Sequence, residues 1–154
     1  MKKSSVAEIR ERFDKDVERF SNLDTGQLTT IDAKISLELI TEAARRIVPN
    51  AEQLLDIGCG AGNYSLKMLS KLPNLECTLV DLSDPMLDKA YERVSEQTNK
   101  KVHLVKGDIR EVPLKQNYFD IILAGAVLHH LRDDQDWETT FKKIYGILKP
   151  GGCF

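Results

Sequence analysis

The sequence predicts an α/β fold in which a doubly wound parallel sheet lies between two layers of helices. From residue 50 onward, short apolar runs alternate with amphipathic helical segments, which is the pattern of βαβ units. The run over residues 119–128 is almost wholly apolar, as expected for a parallel strand that is buried on both faces. Right-handed crossovers between parallel strands place helices on both sides of such a sheet.

Two amphipathic helices are predicted before the sheet. Apolar residues recur at three- and four-residue steps over residues 6–20, and turn-forming residues interrupt the pattern at 22–26. Thr29 or Thr30 can cap a second helix that carries an apolar stripe over residues 31–47.

We therefore divide the chain into an N-terminal helical extension, residues 1–49, and a sheet-forming core, residues 50–154. The extension can act as a lid over a ligand site, with Phe13, Phe20 and the turn at residues 24–27 as candidate substrate contacts. Its apolar faces can equally be packing surface against the core.

The core contains four predicted strands and three predicted helices. The strands are expected at residues 53–57, 77–81, 101–106 and 119–128. Two helices are expected at 63–72 and 84–97, and a third carries an apolar stripe over residues 137–148. Asp84 is the expected N-cap of the second of these helices, with Pro85 at its first position.

Composition excludes several classes of protein. With 154 residues, 42% of them hydrophobic and 30% charged, and a net charge of −2, the chain matches an ordinary globular domain and offers no basic excess for nucleic acid. No apolar run approaches the roughly 18 residues of a membrane span, and the N-terminus lacks the apolar segment of a secretory signal. The three cysteines show no metal-ligand or disulfide spacing, so no metal is expected and a cytoplasmic location fits best.

The first strand ends in a glycine-rich turn, Asp56-Ile57-Gly58-Cys59-Gly60-Ala61-Gly62-Asn63. Ligands of doubly wound sheets bind at the carboxyl ends of the strands, where glycines let the backbone approach a ligand closely. Asn63 stands where a dinucleotide fingerprint needs its third glycine, and the Asp56 carboxylate would repel a pyrophosphate but attract an ammonium or sulfonium group. The turn therefore favours a positively charged nucleoside ligand, although a tight connection without any ligand can have the same sequence.

An acidic residue ends the second predicted strand, and another comes shortly after the third. Asp81, some twenty residues beyond the glycines, is placed to accept hydrogen bonds from both hydroxyls of a ribose, since the alternative role of helix cap is assigned to Asp84. Asp108 and Ile109 suit an adenine, because the acid can accept from the exocyclic amine while the apolar side chain packs on the ring. Gly-Asp is also a common turn pair, so this third strand end is informative only together with the other two.

The motifs that occur in order along residues 50–154 are Asp56–Gly62, Val80–Ser83, Gly107–Ile109, Phe119–Leu123 with Val127–Leu131, and Leu148–Gly152. As a set they resemble the successive motifs of class I S-adenosylmethionine-dependent methyltransferases. The resemblance implies a Rossmann-like sheet, S-adenosylmethionine (SAM) as the methyl donor and S-adenosylhomocysteine (SAH) as the product.

By that likeness, the cofactor would contact residues at the ends of four strands. The residues implied are Asp56, Gly58, Cys59, Gly60, Ala61 and Gly62 for the methionine part, Asp81 for the ribose, Leu82, Met86, Asp108 and Ile109 for the adenine, and Ala124, Gly125 and Ala126 beside the sulfonium. Cys59 is interpreted as a small side chain at a crowded turn, because no partner base is recognisable for a nucleophile.

His129 and His130 follow the fourth strand, near the point of methyl transfer that the resemblance implies. One of them can act as a base or orient the acceptor, or the pair can close the cavity by hydrogen bonds. Asp133 and Asp134 are interpreted as the start of the next helix rather than as metal ligands, because a helix dipole favours acids there. The stretch Leu128–Leu131 resembles small-molecule methyltransferases, so the expected partner is a small methyl acceptor.

Two other functions stay open at this point. One is a non-catalytic SAM-binding or interaction module that kept the cofactor turn without competent chemistry. The other is an NAD-dependent dehydrogenase, against which Asp56 and Asn63 argue.

The resemblance also implies that part of the sheet is missing. The class I sheet has seven strands in the order 3-2-1-4-5-7-6, whereas the four predicted strands supply 3-2-1-4 and leave strands 5–7 missing. The apolar strand at 119–128 would then form a sheet edge, and such an edge invites pairing with another chain. We therefore expect either a truncated form of a larger methyltransferase or a partner, such as a second copy in a homodimer, that covers this edge.

Overall fold

A computed structural model describes residues 4–22 and 33–154. The helices are α1 (Val6–Asp14), α2 (Val17–Ser21), α3 (Ala33–Ile47), α4 (Asn63–Lys71), α5 (Asp84–Ser95) and α6 (Asp134–Ile147). The strands are β1 (Gln53–Ile57), β2 (Glu76–Asp81), β3 (Val102–Lys106), β4 (Phe119–Leu123) and β5 (Leu148–Cys153), and a 3-10 helix covers Leu128–His130. In this part of the chain no helix is both long and apolar enough to cross a membrane.

The strands of the described residues form one parallel sheet in the order β3-β2-β1-β4-β5. β1 is central, and its Leu54 lies opposite Cys77 of β2 and Ile121 of β4. The predicted doubly wound parallel sheet and the order 3-2-1-4 of its first four strands are confirmed. Because every strand runs in the same direction, all their carboxyl ends lie at one edge of the sheet.

Alternate residues of the central strands face two separate apolar clusters. Leu54 of β1 and Leu79 of β2 belong to a cluster that includes residues of α3, α4 and α5. Leu55 and Val80, the next residues along the same strands, belong to a cluster that includes residues of α6. Full burial of each such side chain contributes about 1.5–3 kcal/mol, so both helix layers are held by the strand periodicity.

A fifth strand, β5, pairs with β4 and corrects the sequence prediction, in which strands 5–7 were all missing. Pro150 and the two glycines after it are residues typical of a helix end or a turn, so the local sequence does not indicate a strand there. The pairing is irregular, because Phe119 lies opposite Leu148 whereas Ile121 lies opposite Cys153. A Cβ on Gly152 would lie 2.8 Å from the Asp120 carbonyl oxygen, so the irregular pairing requires glycine there.

β5 covers β4 on the side away from β1, so the expectation that β4 forms an exposed edge is wrong. The argument for a partner chain or a homodimer rested on that edge and loses its physical basis. The outermost strands of the described sheet are β3 and β5 instead.

The fourth strand ends at Leu123 and not at residue 128, because the chain turns sharply beyond it. Ala126 has a positive φ of 54°, and the 3-10 helix begins two residues later. The residues after Leu123 are apolar like those of the strand, but they do not pair with a neighbouring strand. Val127 packs against Gly58 of the first turn, which accounts for its apolar character.

The helix boundaries also differ from the prediction at two points. The apolar stripe over residues 6–20 is divided into α1 and α2 at Lys15 and Asp16. Ser83, rather than Asp84, caps α5, because its hydroxyl accepts a hydrogen bond from the Met86 amide. The proposed caps Thr29 and Thr30 lie outside the described residues.

Asp120 joins three strands at the amino-terminal edge of the sheet. One carboxylate oxygen accepts hydrogen bonds from the amides of Glu52 and Gln53, at 3.0 and 2.9 Å, where the chain enters β1. The other oxygen pairs with the Lys149 ammonium of β5 at 2.8 Å. A single side chain of β4 therefore holds both neighbouring strands in register.

We expect Asp120→Ala to lower the free energy of unfolding by about 1–3 kcal/mol, since it leaves two amides without their acceptor and removes the partner of Lys149. Asp120→Asn keeps one oxygen for the amides and should lose less than half of that amount. Urea unfolding of both variants measures the difference. Equal losses in the two variants would contradict the assigned role of the amide hydrogen bonds.

Candidate functional site

A cavity of about 400 Å³ lies at the carboxyl ends of β1 to β4 and is bordered on its outer side by α1 and α2. This volume lies within the range of small-molecule sites, which is roughly 300–1,000 Å³. The sequence-predicted residues in its lining are Gly58, Cys59, Gly60, Ala61, Asp81, Leu82, Met86, Asp108, Ile109, Gly125, Ala126, His129 and His130. Asp56, Gly62 and Ala124 are not part of the lining.

The glycine turn between β1 and α4 forms one wall of the cavity. Gly58, Gly60 and Gly62 all have positive φ, a conformation that glycine adopts without the strain of a side chain. A Cβ on Gly58 would lie 2.5 Å from Val127, whereas a Cβ on Gly60 would meet nothing within 4 Å. The backbone of Gly60 therefore faces open space, so a ligand can approach it closely.

Asp81 ends β2 and lies directly beside this turn. Its carboxylate accepts hydrogen bonds from the Gly60 amide at 2.8 Å and from the Ser83 amide at 3.0 Å. Burial raises the pKa of Asp81, and these hydrogen bonds offset the rise only in part. The carboxylate thus braces the glycine turn while it also lines the cavity.

Asp108, after β3, belongs to a network of charges that the sequence analysis did not find. Arg110 donates two side-chain hydrogen bonds to the Asp108 carboxylate, at 2.9 and 2.5 Å. The same guanidinium pairs with Asp136, which is nearly buried on α6. Burial alone would raise the pKa of Asp108, but the hydrogen bonds from Arg110 outweigh it and the net pKa is lowered. Asp108 is therefore an oriented, charged acceptor.

Asp136 also joins this network to the segment that carries the two histidines. Its carboxylate accepts hydrogen bonds from the amide and the Nε of Arg132, at 3.0 and 3.1 Å. Asp133 caps α6 by accepting from the Asp136 amide, as predicted for an acid at the start of that helix. The strand end after β3 and the chain after β4 are thus fixed to each other.

Asp56 lies behind the glycine turn and not on the cavity wall. Its carboxylate is almost wholly buried and accepts a hydrogen bond from the Ser65 hydroxyl of α4 at 2.7 Å. Burial raises the pKa of Asp56 to about 7. This position gives the carboxylate a bracing role between β1 and α4 rather than direct contact with a ligand in the cavity. Gly62 likewise faces Val94 and Ala90 of α5.

The segment after β4 forms the wall opposite the glycine turn. A Cβ on Gly125 would lie 2.2 Å from the Tyr64 ring, so glycine is required where this segment crosses α4. The centroids of the His129 and His130 rings lie 3.9 Å apart. The rings of His130 and Phe13 form an edge-to-face pair with their centroids 5.9 Å apart. Burial lowers the pKa of His130, and the neighbouring His129 and Arg12 lower it further. A neutral imidazole is favoured there.

The outer side of the cavity is formed by α1 and α2. Phe13 and Phe20, which the sequence analysis named as candidate contacts, both line it, with their rings 5.1 Å apart. Asn63, at the start of α4, donates a hydrogen bond to the Phe20 carbonyl at 3.1 Å and accepts one from Arg93 at 2.9 Å. This asparagine, which breaks the dinucleotide fingerprint, joins the N-terminal helices to the glycine turn. The turn at residues 24–27 lies outside the described residues.

Two further points concern a nucleophile and a metal site. Cys59 is buried at the turn and burial raises its pKa, so it is a poor nucleophile. Within residues 4–22 and 33–154, no three His, Cys, Asp or Glu side chains are grouped as a metal site would require.

Sequence reasoning missed several residues that shape the cavity. They are Arg12 and Arg19 of α1 and α2, Tyr64 of α4, Arg110 after β3, and Arg132 before α6. Only Arg110 has a sequence signal, because it follows Asp108 by two residues, within reach of a local ion pair. The others are brought to the cavity by tertiary packing.

Residues 54–152 match the protein family described as a methyltransferase domain. Among curated proteins, the chain is 31% identical to malonyl-[acyl-carrier protein] O-methyltransferase of Priestia megaterium over 122 residues, which are 79% of this chain and 42% of that protein. It is 27% identical to demethylmenaquinone methyltransferase of Listeria monocytogenes over 152 residues, which are 98% of this chain and 60% of that protein. The chain thus spans less than two thirds of the length of these relatives.

Solved structures share the fold. An S-adenosylmethionine-dependent methyltransferase of Clostridium acetobutylicum has a TM-score of 0.70 and 26% identity, with 92% of this chain and 55% of that chain covered. Phosphoethanolamine N-methyltransferase 2 of Haemonchus contortus has a TM-score of 0.74 and 26% identity, and the match covers 97% of this chain and 34% of that chain. That structure was solved with phosphomonomethylethanolamine and S-adenosylhomocysteine. Since the family match includes more than half of its residues, this chain belongs to the methyltransferase domain family.

Proposed function

We propose that this chain binds SAM in the cavity at the carboxyl ends of β1 to β4 and serves methyl transfer to a small-molecule acceptor. The observation that carries the proposal is the convergence of the glycine turn, Asp81 and Asp108 on one cavity. Family membership and the SAH bound to the Haemonchus contortus relative support the same cofactor.

The chemistry of the lining fits a nucleoside without phosphates. Asp81 and Asp108 offer carboxylate oxygens, which suit the hydroxyls of a ribose and the exocyclic amine of an adenine. Both acids would repel a pyrophosphate, and this argues against the dinucleotide of a dehydrogenase. Ile109 and Met86 supply apolar surface in the same part of the cavity.

When bound, SAM supplies a methyl group that its sulfonium already activates, so the chain's own residues need mainly to align the reactants. Alignment of this kind can supply roughly 7–11 kcal/mol of rate acceleration. The glycine turn, the segment after β4 and the N-terminal helices form the walls of the space in which both partners would be aligned. We propose that α1 and α2 of the N-terminal extension, residues 1–49, act as a lid, while α3 of the same extension packs on the sheet.

His129 and His130 are our candidates for contact with the acceptor. Both line the cavity, and the lowered pKa of His130 favours the neutral form that can accept a proton. A positioned base of this kind contributes roughly 10²–10⁴-fold where the acceptor must lose a proton. Ala126 and Gly125, next to them in the chain, are the residues that we place beside the sulfonium.

Asp81→Asn should weaken SAH binding about 10- to 100-fold, because hydrogen bonds to a charged acceptor contribute about 1.5–3 kcal/mol. Isothermal titration calorimetry with SAH measures the change. Asp84→Asn, an exposed acid three residues later that pairs with Lys106, is the matched control and should bind normally. Near-normal affinity of Asp81→Asn would show the ribose assignment to be wrong, and tight NAD binding without SAH binding would overturn the cofactor.

Arg110→Gln should reduce the ability of the cavity to select adenine, since Asp108 then loses its bidentate partner. The measurement compares the affinity of SAH with that of S-inosylhomocysteine, in which a carbonyl replaces the exocyclic amine. We expect the preference for SAH to fall about three- to tenfold. General destabilisation would lower both affinities equally, so an unchanged ratio would refute the adenine role of Asp108.

Asn63→Asp keeps the acceptor for Arg93 but removes the donor to the Phe20 carbonyl. We expect faster amide hydrogen exchange in α2 and weaker SAH binding if the N-terminal helices act as a lid. Asn74→Asp makes the same chemical change in an exposed turn remote from the cavity and serves as the control. Removal of residues 1–28 with no effect on SAH affinity or turnover would refute the lid.

A further inference from the structure

We propose that the outer end of the cavity takes a methyl acceptor that carries an anionic group, a carboxylate or a phosphate, on an apolar body. The outer end is the part lined by Arg12, Phe13, Phe20, His129 and His130. This inference rests on the proposed function and names the class of acceptor that the same cavity would accept.

Charge is distributed unevenly along the cavity. The inner end, at the strand termini, holds the carboxylates of Asp81 and Asp108. The outer end holds the guanidinium of Arg12 and two imidazoles, and no carboxylate belongs to its lining among the described residues. An anion is therefore attracted to the outer end and repelled by the inner end, whereas an ammonium group meets the opposite field.

Arg12 is the cation that this field depends on. Arg110 and Arg132 also line the cavity, but both pair with Asp136, and Arg19 pairs with Asp16 at 3.1 Å. The Arg12 guanidinium contacts the Ser4 hydroxyl at 3.5 Å and forms no ion pair with any carboxylate in residues 4–22 and 33–154.

Glu8, one helical turn before Arg12, is the acid on the same face of α1, whereas Glu11, the residue before Arg12, pairs with Lys15 at 2.7 Å. The Glu8 carboxylate is held by the amide and the hydroxyl of Ser5 in the capping box of that helix, at 2.7 and 2.8 Å. The same acid makes no ion pair with Arg12. The charge of Arg12 is therefore left for a group in the cavity, and a planar guanidinium matches the two oxygens of a carboxylate or a phosphate.

The rings around Arg12 indicate what the anion is attached to. Phe13 and Phe20 pack at 5.1 Å, and Phe13 also meets the His130 ring at 5.9 Å. Val6 and Ile9 of α1 complete the apolar part of this wall. An acceptor with an apolar or aromatic body can lie against these side chains while its anion meets the exposed Arg12.

The test uses two matched pairs of probes, titrated calorimetrically into the full chain with and without saturating SAH. The carboxylate arm compares 4-hydroxybenzoate with 4-hydroxybenzamide, and the phosphate arm compares phenyl phosphate with phenol. We expect the anion of at least one pair to bind about three- to tenfold more tightly than its neutral partner. This ratio of the two affinities should fall at high salt, because salt screens the charge of Arg12. The arm that gives the larger ratio identifies which of the two anions the cavity prefers.

Two variants assign the preference to Arg12. Arg12→Gln should abolish it, and Arg12→Lys should restore part of it by returning the charge. Arg10→Gln removes the same charge from an exposed position on α1 that does not line the cavity, and should keep the wild-type ratio.

Several outcomes overturn the proposal. It is wrong if the wild-type chain binds the anion no more tightly than its neutral partner, and also if Arg12→Gln keeps the wild-type preference. A loss of SAH affinity in Arg12→Gln of the same size as its loss of probe affinity would assign Arg12 to the carboxylate of the cofactor instead. Failure of wild type to bind SAH would overturn the proposed function, while the titrations without SAH would still report the anion preference.

Discussion

The parallel pairing of β1 with β2 on one side and with β4 on the other is the constraint on which the site depends. The register continues past the ends of the strands, because the amides of Gly58 and Cys59 donate to the Val80 carbonyl and the Gly107 amide donates to the Asp81 carbonyl. A slip of β2 by one residue would exchange its two faces and turn Asp81 away from the glycine turn. The apolar clusters on the two sides of the sheet oppose that slip, since each accepts only alternate residues of each strand.

The sequence was sufficient for the parts of the molecule that this register determines. Gly60, Asp81 and Asp108 follow strand ends, and parallel strands bring their ends to one edge, so residue type and order along the chain predict that they meet. Asp56 shows the limit of the same reasoning. It stands one residue inside the strand end, where the alternation of side chains directs it toward Ser65 of α4 and away from the cavity.

The strand β5 and the divided N-terminal helix could not be predicted from local patterns. Pro150 and its two glycines have the composition of a turn, and they form a strand only because β4 offers an unpaired edge and Asp120 holds Lys149 there. The stripe over residues 6–20 has helical periodicity throughout, yet the helix is interrupted between Asp14 and Val17. Phe13 and Phe20 would stand about two turns apart on one continuous helix, whereas here their rings meet at 5.1 Å. In each case a tertiary contact overrides the local preference.

The two halves of the cavity differ in how firmly the fold holds them. The inner half consists of backbone turns fixed by the sheet and of acids braced by Gly60, Ser83 and Arg110. The outer half depends on α1, α2 and the segment after β4, which meet through ring contacts. α1 and α2 also pack against α5, and Asn63 and Asp136 add hydrogen bonds to the core. The acids at the strand ends therefore need only the register of the sheet, whereas the side chains at the outer end, where we propose that the acceptor binds, can change without disturbing that register. Under the proposed function, this separation would let the acceptor change while the cofactor site stays the same.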